Sequence, residues 1–375
     1  MTSIIYVGMD VHTTNYTLCS YSIESDKVFA TTTLSPDYKN IVKYVDQVKM
    51  NHGEDCHILC GYEAGCLGYS LYNQLIWSGV DCVILAPSTM AMTKKKGIKT
   101  DKRDAGNIAK CLAYNTYSSV YVPTEEDNSV KEYIRMRDDV KDALKRIKQE
   151  LLAFCTRNGQ CFTEGKNYWT QKHIAWLKKL NFSNAVLQET LQEYITLYHQ
   201  MSDKVELFDK RINELACTER YAEKVKKLSC FIGIKAHTAL ATIVETGDFA
   251  RFPTAQQYAS YLGLVPGENS SGNAIRRTGI TKAGNSHVRK LLVESAQSYS
   301  RGAVGAKGKA LKDRQAGNDP KVIAYADKAN VRLKRKFYRI MFNSKRNIAV
   351  TAVARELACF IWGMMTDNIA LELPT

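Results

Sequence analysis

The sequence predicts an α/β domain followed by an all-α region, and three observations carry that prediction. The first 120 residues alternate short apolar runs of strand type with stretches of helical spacing. Pro123 and the acidic run TEEDN then break the pattern. Beyond the break the apolar spacing is helical throughout.

The elements follow in order. Residues 4–12, IIYVGMDVH, read as a buried strand with a polar tip. Residues 16–24, YTLCSYSIE, and 27–34, KVFATTTL, complete a meander. A helix is predicted over 37–51, a strand over 57–65 (HILCGYEAG), and a helix over 67–79 closing on Gly79. Residues 80–87, VDCVILAP, form the next strand, and 101–115, DKRDAGNIAKCLAYN, the next helix. Three strands, helix, strand, helix, strand, helix is the order of the RNase H-like fold.

In the second region Met136, Val140, Leu144, Ile147, Leu151 and Phe154 step by four and three. So do Leu187, Leu191, Tyr194, Tyr198, Met201, Val205, Phe208, Ile212 and Leu215. That is a heptad seam with charged flanks, which serves a hairpin within one chain or a contact between chains equally well. The third region predicts two short helices around a glycine turn over 228–249. A helix, a glycine-spotted loop and a helix follow over 254–300. A basic helix over 319–342 and a more apolar one over 349–364 close the chain. The expected domains are 1–125, 126–222 and 223–375.

Charge narrows the partners. The chain carries 52 Lys and Arg against 38 Asp and Glu, and residues 271–375 hold 20 against 7. An excess concentrated in the last third suits a polyanion, most often nucleic acid. No stretch approaches the roughly 20 apolar residues of a membrane span. The start, MTSIIYVGMD, has no basic segment before its apolar run, so no signal peptide is expected. The 11 cysteines are scattered and form no CxxC pair, which suits free thiols in a reducing cytoplasm. Cys56, His57 and Cys60 in CHILC fit an alternating strand better than a zinc site.

Four acids stand at informative places. Asp10 and Glu63 end two strands that lie side by side in the predicted order. Asp101 and Asp104 are three apart on one helix, hence on one face. Singly, each reads as a strand-end cap or part of an ion-paired helix face. Jointly, four converging carboxylates repel and call for cations. Hard oxygen ligands favour Mg²⁺ or Mn²⁺. Two such ions about 4 Å apart suit phosphodiester chemistry. Lys94, Lys95, Lys96, Lys102 and Arg103 surround the helical pair and can hold phosphates. Sugar kinases and actin-like ATPases share the fold order, but they follow the first Asp with a glycine phosphate turn. This chain continues DVHTTN.

With these motifs in place, the chain resembles the DEDD transposases of the insertion-sequence family conventionally numbered one hundred and ten. That family is also called bridge-RNA-guided or seeker serine recombinases and is related to the Piv-type DNA invertases. The resemblance covers nearly the whole chain. It rests on GMDVH, GYEAG and KTDKRDA for the four acids, and on YLGLVP, a Ser-Gly pair and GITKAGNSHVRKLLVE for the second half. Members commonly read PGIG before a TA helix, where this chain has Ile232-Gly233-Ile234-Lys235.

The resemblance implies a RuvC-like first domain holding Mg²⁺ or Mn²⁺ on Asp10, Glu63, Asp101 and Asp104. It assigns the nucleophile to Ser271, next to Ser270 and fixed in register by Gly272. Ser271 would attack a DNA phosphodiester, and a free hydroxyl would reseal the joint. A homodimer assembling to a homotetramer and a structured noncoding guide RNA that pairs with donor and target DNA are further implied partners. Arg276, Arg277, Lys282 and Arg289 follow the serine. Arg332, Lys334, Arg335, Lys336 and Arg339 lie in RLKRKFYR, a basic face for either nucleic acid. The runner-up reading is a Piv-like invertase or a RuvC-like nuclease that uses water and no RNA guide.

Overall fold

A computed structural model describes residues 4–53, 56–90, 100–270 and 276–369. The chain divides into two compact units, Met1–Val122 and Pro123–Thr375.

The first unit is built on one five-stranded sheet. Strands β1 (Ile4–Val11), β2 (Tyr16–Ser22) and β3 (Lys27–Leu34) form the antiparallel meander. Helix α1 (Tyr38–His52) leads to β4 (His57–Glu63), and α2 (Ser70–Trp77) leads to β5 (Cys82–Leu85). Both crossovers give parallel pairing, so the sheet order is β3-β2-β1-β4-β5. Helix α3 (Asp101–Ala113) completes the unit.

Alternation along β1 decides which layer covers which face. Ile5, Val7 and Met9 are buried with Ile41, Val45, Val48, Leu71 and Leu75 of α1 and α2. Tyr6 and Gly8 face the other way, onto α3. A Cβ on Gly8 would lie 2.1 Å from the Ala105 carbonyl oxygen and 2.3 Å from the Ala109 nitrogen. Only a glycine lets the helix backbone come this close. Cys56 and Cys60 are buried at β4, and desolvation pushes the Cys60 thiol up to about 12, so they are core thiols.

Among the described residues, the regular structure of the second unit is helical apart from one ribbon. Helix α4 (Glu125–Arg157), capped by Thr124, runs about 50 Å. Helices α5 (Gln171–Lys179) and α6 (Ala185–Ala216) follow, and α6 packs antiparallel on α4. At the far end Leu151 and Phe154 meet Leu191 and Ile195. At the near end Arg137 is ion-paired with Asp209 at 2.7 Å. The heptad seam therefore serves a hairpin within the chain. It starts out of phase with the sequence reading. Met136 is exposed, while Ile134 and Arg137 are buried, because Ile134 joins the main helical core.

That core comes from α7 (Glu219–Leu228), α8 (Ala236–Thr246), α9 (Ala255–Tyr261), α10 (Ser286–Ala296), α12 (Pro320–Asn343) and α13 (Arg346–Met365), with α11 (Lys309–Gln315) between α10 and α12 in the chain. The glycine-spotted loop is more regular than predicted. It holds an antiparallel ribbon, β6 (Pro266–Glu268) with β7 (Arg277–Ile280). The turn before α8 closes without the family's Pro and second Gly. Gly233 takes φ +83° and passes so near Ser295 that a Cβ would lie 2.4 Å from its carbonyl oxygen.

One sequence expectation needs correcting. Helix α13 is long and apolar enough to cross a membrane, although no such stretch was expected. Its apolar side chains, Val350, Val353, Leu357, Phe360, Ile361 and Met364 among them, are buried in this core.

Candidate active site

The site in the first unit follows from two glycines. Gly8 and Gly61 pair across β1 and β4, and both point at α3, where a Cβ on Gly61 would crowd Leu112. Side chains two residues further along share that face. These are Asp10 and Glu63, the next positions after the paired Met9 and Tyr62. Helix α3 runs back along the strands, so its first turn, with Asp101 and Asp104, lies at the same edge.

The structure brings Asp10, His12 and Asp101 together, with one ligand atom of each within 4.8 Å of the others. His12 Nε2 lies 3.4 Å from Asp10 Oδ1. Burial raises the Asp10 pKa, His12 opposes the rise, and the charges of Asp101 and Asp104 add to it. Asp104 is thus an electrostatic neighbour outside the tight group. Glu63 is exposed at the end of β4 and also stands outside it. Sequence reasoning missed His12, although its place two residues after a strand-end aspartate was the available signal.

The donor set fits a divalent cation. Two carboxylates and one imidazole converge from two elements, and the repulsion that Asp101 and Asp104 exert on Asp10 is what an ion would relieve. The carboxylates suit Mg²⁺ or Mn²⁺, and the ring nitrogen favours Mn²⁺ over the oxygen-preferring Mg²⁺.

The serine loop is described up to its neck. Ser271 lies outside the described residues, as do Lys94, Lys95, Lys96 and the side chain of Arg277. Ser270 Oγ donates to Glu268 Oε1 at 2.8 Å and accepts from the Arg276 backbone N–H at 3.2 Å. Its hydroxyl closes the ribbon. Lys282 takes φ +57°, and both its side chain and that of Arg276 are exposed. Arg289 has a structural post, donating to the carbonyls of Leu262 and Ala283 at 2.8 and 3.0 Å.

The other basic candidates divide by environment. Lys102, Arg103, Arg335 and Arg339 are exposed. Arg332 and Lys336 both bind Glu356. Lys334 is corrected from the predicted basic face. It is 4% exposed, its ammonium donates to the Ala303 carbonyl at 3.0 Å, and burial lowers its pKa.

A second charged cluster, unforeseen in the sequence, ties α4 to α8 and α10. His287 Nε2 lies 2.8 Å from Asp138, and its Nδ1 lies 3.0 Å from Glu245. These two hydrogen bonds raise its pKa to about 9. Glu245 also takes a two-point bond from Arg135 and one from Asn285. Burial alone would push Glu245 up, but these partners bring it to about 2. Burial likewise opposes ionisation of Asp138, and bonds from His237, His287 and Arg137 overcome it, holding its carboxyl well below the usual range.

Two family models match this chain. One, described as transposase IS116/IS110/IS902 family, covers residues 225–313, and a DEDD transposase model of IS110 elements covers residues 7–157. The chain is 31% identical over 348 residues to the transposase for insertion sequence element IS1533 of Leptospira borgpetersenii, spanning 91% of this chain and 98% of that protein. It is 33% identical over 312 residues to the protein y4qE of Sinorhizobium fredii, spanning 83% and 76%. It is 24% identical over 232 residues to the transposase for insertion sequence element IS1111A of Coxiella burnetii, spanning 61% and 62%.

Proposed function

Because the chain belongs to the IS116/IS110/IS902 family of insertion-sequence transposases, enzymes that cleave DNA and transfer strands, we propose that it is an RNA-guided, metal-dependent serine recombinase. The observation that carries the reading is the gathering of Asp10, His12 and Asp101 at the end of β1. The sheet order β3-β2-β1-β4-β5 supports an RNase H-like, RuvC-like first domain.

Asp10, His12 and Asp101 hold the cation, Mg²⁺ or Mn²⁺, with Asp104 and Glu63 flanking. When bound, the ion supplies Lewis acidity toward a phosphoryl oxygen. Ser271 is the nucleophile. Its oxygen bonds to phosphorus, the phosphorus–sugar oxygen bond breaks, and its proton leaves to a base while the sugar oxygen gains one. A free sugar hydroxyl later attacks the phosphoserine, releases Ser271 and restores the diester. Arg276, Arg277 and Lys282 hold the non-bridging oxygens. Ser270, engaged by Glu268, closes the loop and leaves the reaction to its neighbour.

The expected division at 125 and 222 separates metal site, hairpin and serine domain by role. Exposed Leu197 and Leu207 on α6 support pairing of hairpins into the homodimer and homotetramer. A structured noncoding RNA selects donor and target DNA in the cytoplasm, on the nucleoid.

Labelled DNA, Mg²⁺ and the protein with its flank-derived RNA test this reading. Wild type and Ser270→Ala are expected to give a denaturation-resistant protein–DNA adduct, and Ser271→Ala none. Undiminished cleavage by Ser271→Ala would favour the water-using invertase or nuclease.

A further inference from the structure

The corner between α12 and α13 carries an exposed stripe with no role so far. Arg335, Tyr338, Arg339 and Phe342 follow at i, i+3, i+4 and i+7, hence on one helix face. Phe342 is 89% exposed and Tyr338 42%. A lone bare ring would be ordinary, but here two exposed rings share one face with two arginines.

Charge says what kind. From Lys328 to Arg355 the chain has nine Lys and Arg and no acid. The next acid, Glu356, is spent on Arg332 and Lys336. Arg335 and Arg339 make no ion pair among the described residues and flank the rings. Lys345 stands at the N-cap position of α13 without a side-chain capping bond, so backbone N–H groups there add to the positive field. Tyr338 is fixed, its hydroxyl donating toward the carbonyls of Ser300 and Gly302 at 3.4 and 3.3 Å. Fixed and bare rings interleaved with cations suit an unstacked base followed by its phosphates.

We propose that this corner is a stacking site for an unpaired base of DNA, with Phe342 as the ring that receives it. Strand exchange creates such bases when a duplex opens. The inference rests on the reading of the chain as a recombinase with a basic DNA face on α12, and it adds the class of DNA recognised there.

The test uses the full chain and two DNA probes, one duplex fully paired and one with a single unpaired 2-aminopurine. Phe342→Ala is expected to lose about tenfold affinity for the unpaired probe and less than about twofold for the paired one. Wild type quenches the 2-aminopurine emission, Phe342→Ala does not, and Phe342→Trp restores the quenching. Equal losses on both probes would overturn the stacking site, as would unchanged DNA binding with an altered oligomeric state. A Phe342 dependence found only on an unpaired RNA oligonucleotide of the same sequence would overturn the choice of DNA. Arg335→Ala with Arg339→Ala is the control for the underlying reading. It should weaken both probes, and no effect on either would sink the basic face itself.

Discussion

Asp10 and Asp138 are aspartates of similar exposure, 18% and 14%, each beside histidine, and they end in opposite electrostatic states. The Asp10 carboxyl is raised, the Asp138 carboxyl strongly lowered. Burial pushes both the same way, so the partners decide. Asp138 faces Arg137, His237 and His287, whereas Asp10 faces Asp101 and Asp104, with His12 offsetting them in part. One cluster satisfies itself and joins helices. The other keeps carboxylates crowding one another, the arrangement behind the proposed cation site.

The largest expected effect breaks the comparison from the unbalanced side. Asp101→Asn should lower strand cleavage about a thousandfold. It should leave the urea midpoint unchanged or higher, because it removes repulsion around Asp10. Cleavage of end-labelled DNA alongside urea denaturation reads both. A variant that cuts at the wild-type rate would place the metal elsewhere.

Glu245→Ala breaks it from the balanced side. Glu245 is buried, and its removal takes a counter-charge from half-exposed Arg135 and one of the two from His287, which keeps Asp138, so the cost is about 2–3 kcal/mol of stability. Wild-type stability should also depend on pH in a defined sense. The His287 contribution is complete below its ordinary pKa of 6.5 and fades as pH rises through about 9. The Glu245 contribution is complete above 4.5 and fades as pH falls toward about 2. Urea midpoints measured from pH 4 to 10 should peak between these limits. A midpoint flat from pH 7 to 10 would remove His287 from the balance.

The smallest effect sharpens the comparison. His12→Ala should weaken Mn²⁺ binding about tenfold, read by electron paramagnetic resonance, with cleavage recovered at higher metal. Unchanged affinity would leave the carboxylates as the only ligands.

Much of the first unit was legible because alternation and periodicity are local. The strands, α3 and the positions of Asp10, Glu63, Asp101 and Asp104 follow from them. His12 was not, because its partnership with Asp101 depends on how a helix 90 residues away docks. The burial of Lys334 was legible in principle. Asn330, Leu333 and Phe337 share its helical face and are buried, and a reading by charge alone overlooked that face. The Asp138–His287 bond spans 149 residues and has no sequence signature.

Gly8 has one more consequence. With the backbone of Ala105 and Ala109 pressed against its bare backbone, α3 sits in a notch of the sheet. Any side chain in place of Gly8 would collide with that helix backbone and push α3 off the strand. The spacing between Asp10 and the first turn of α3 is therefore indexed by main-chain contact, not by the reach of long side chains. A cation entering there meets carboxylates already at their stations and need not gather them.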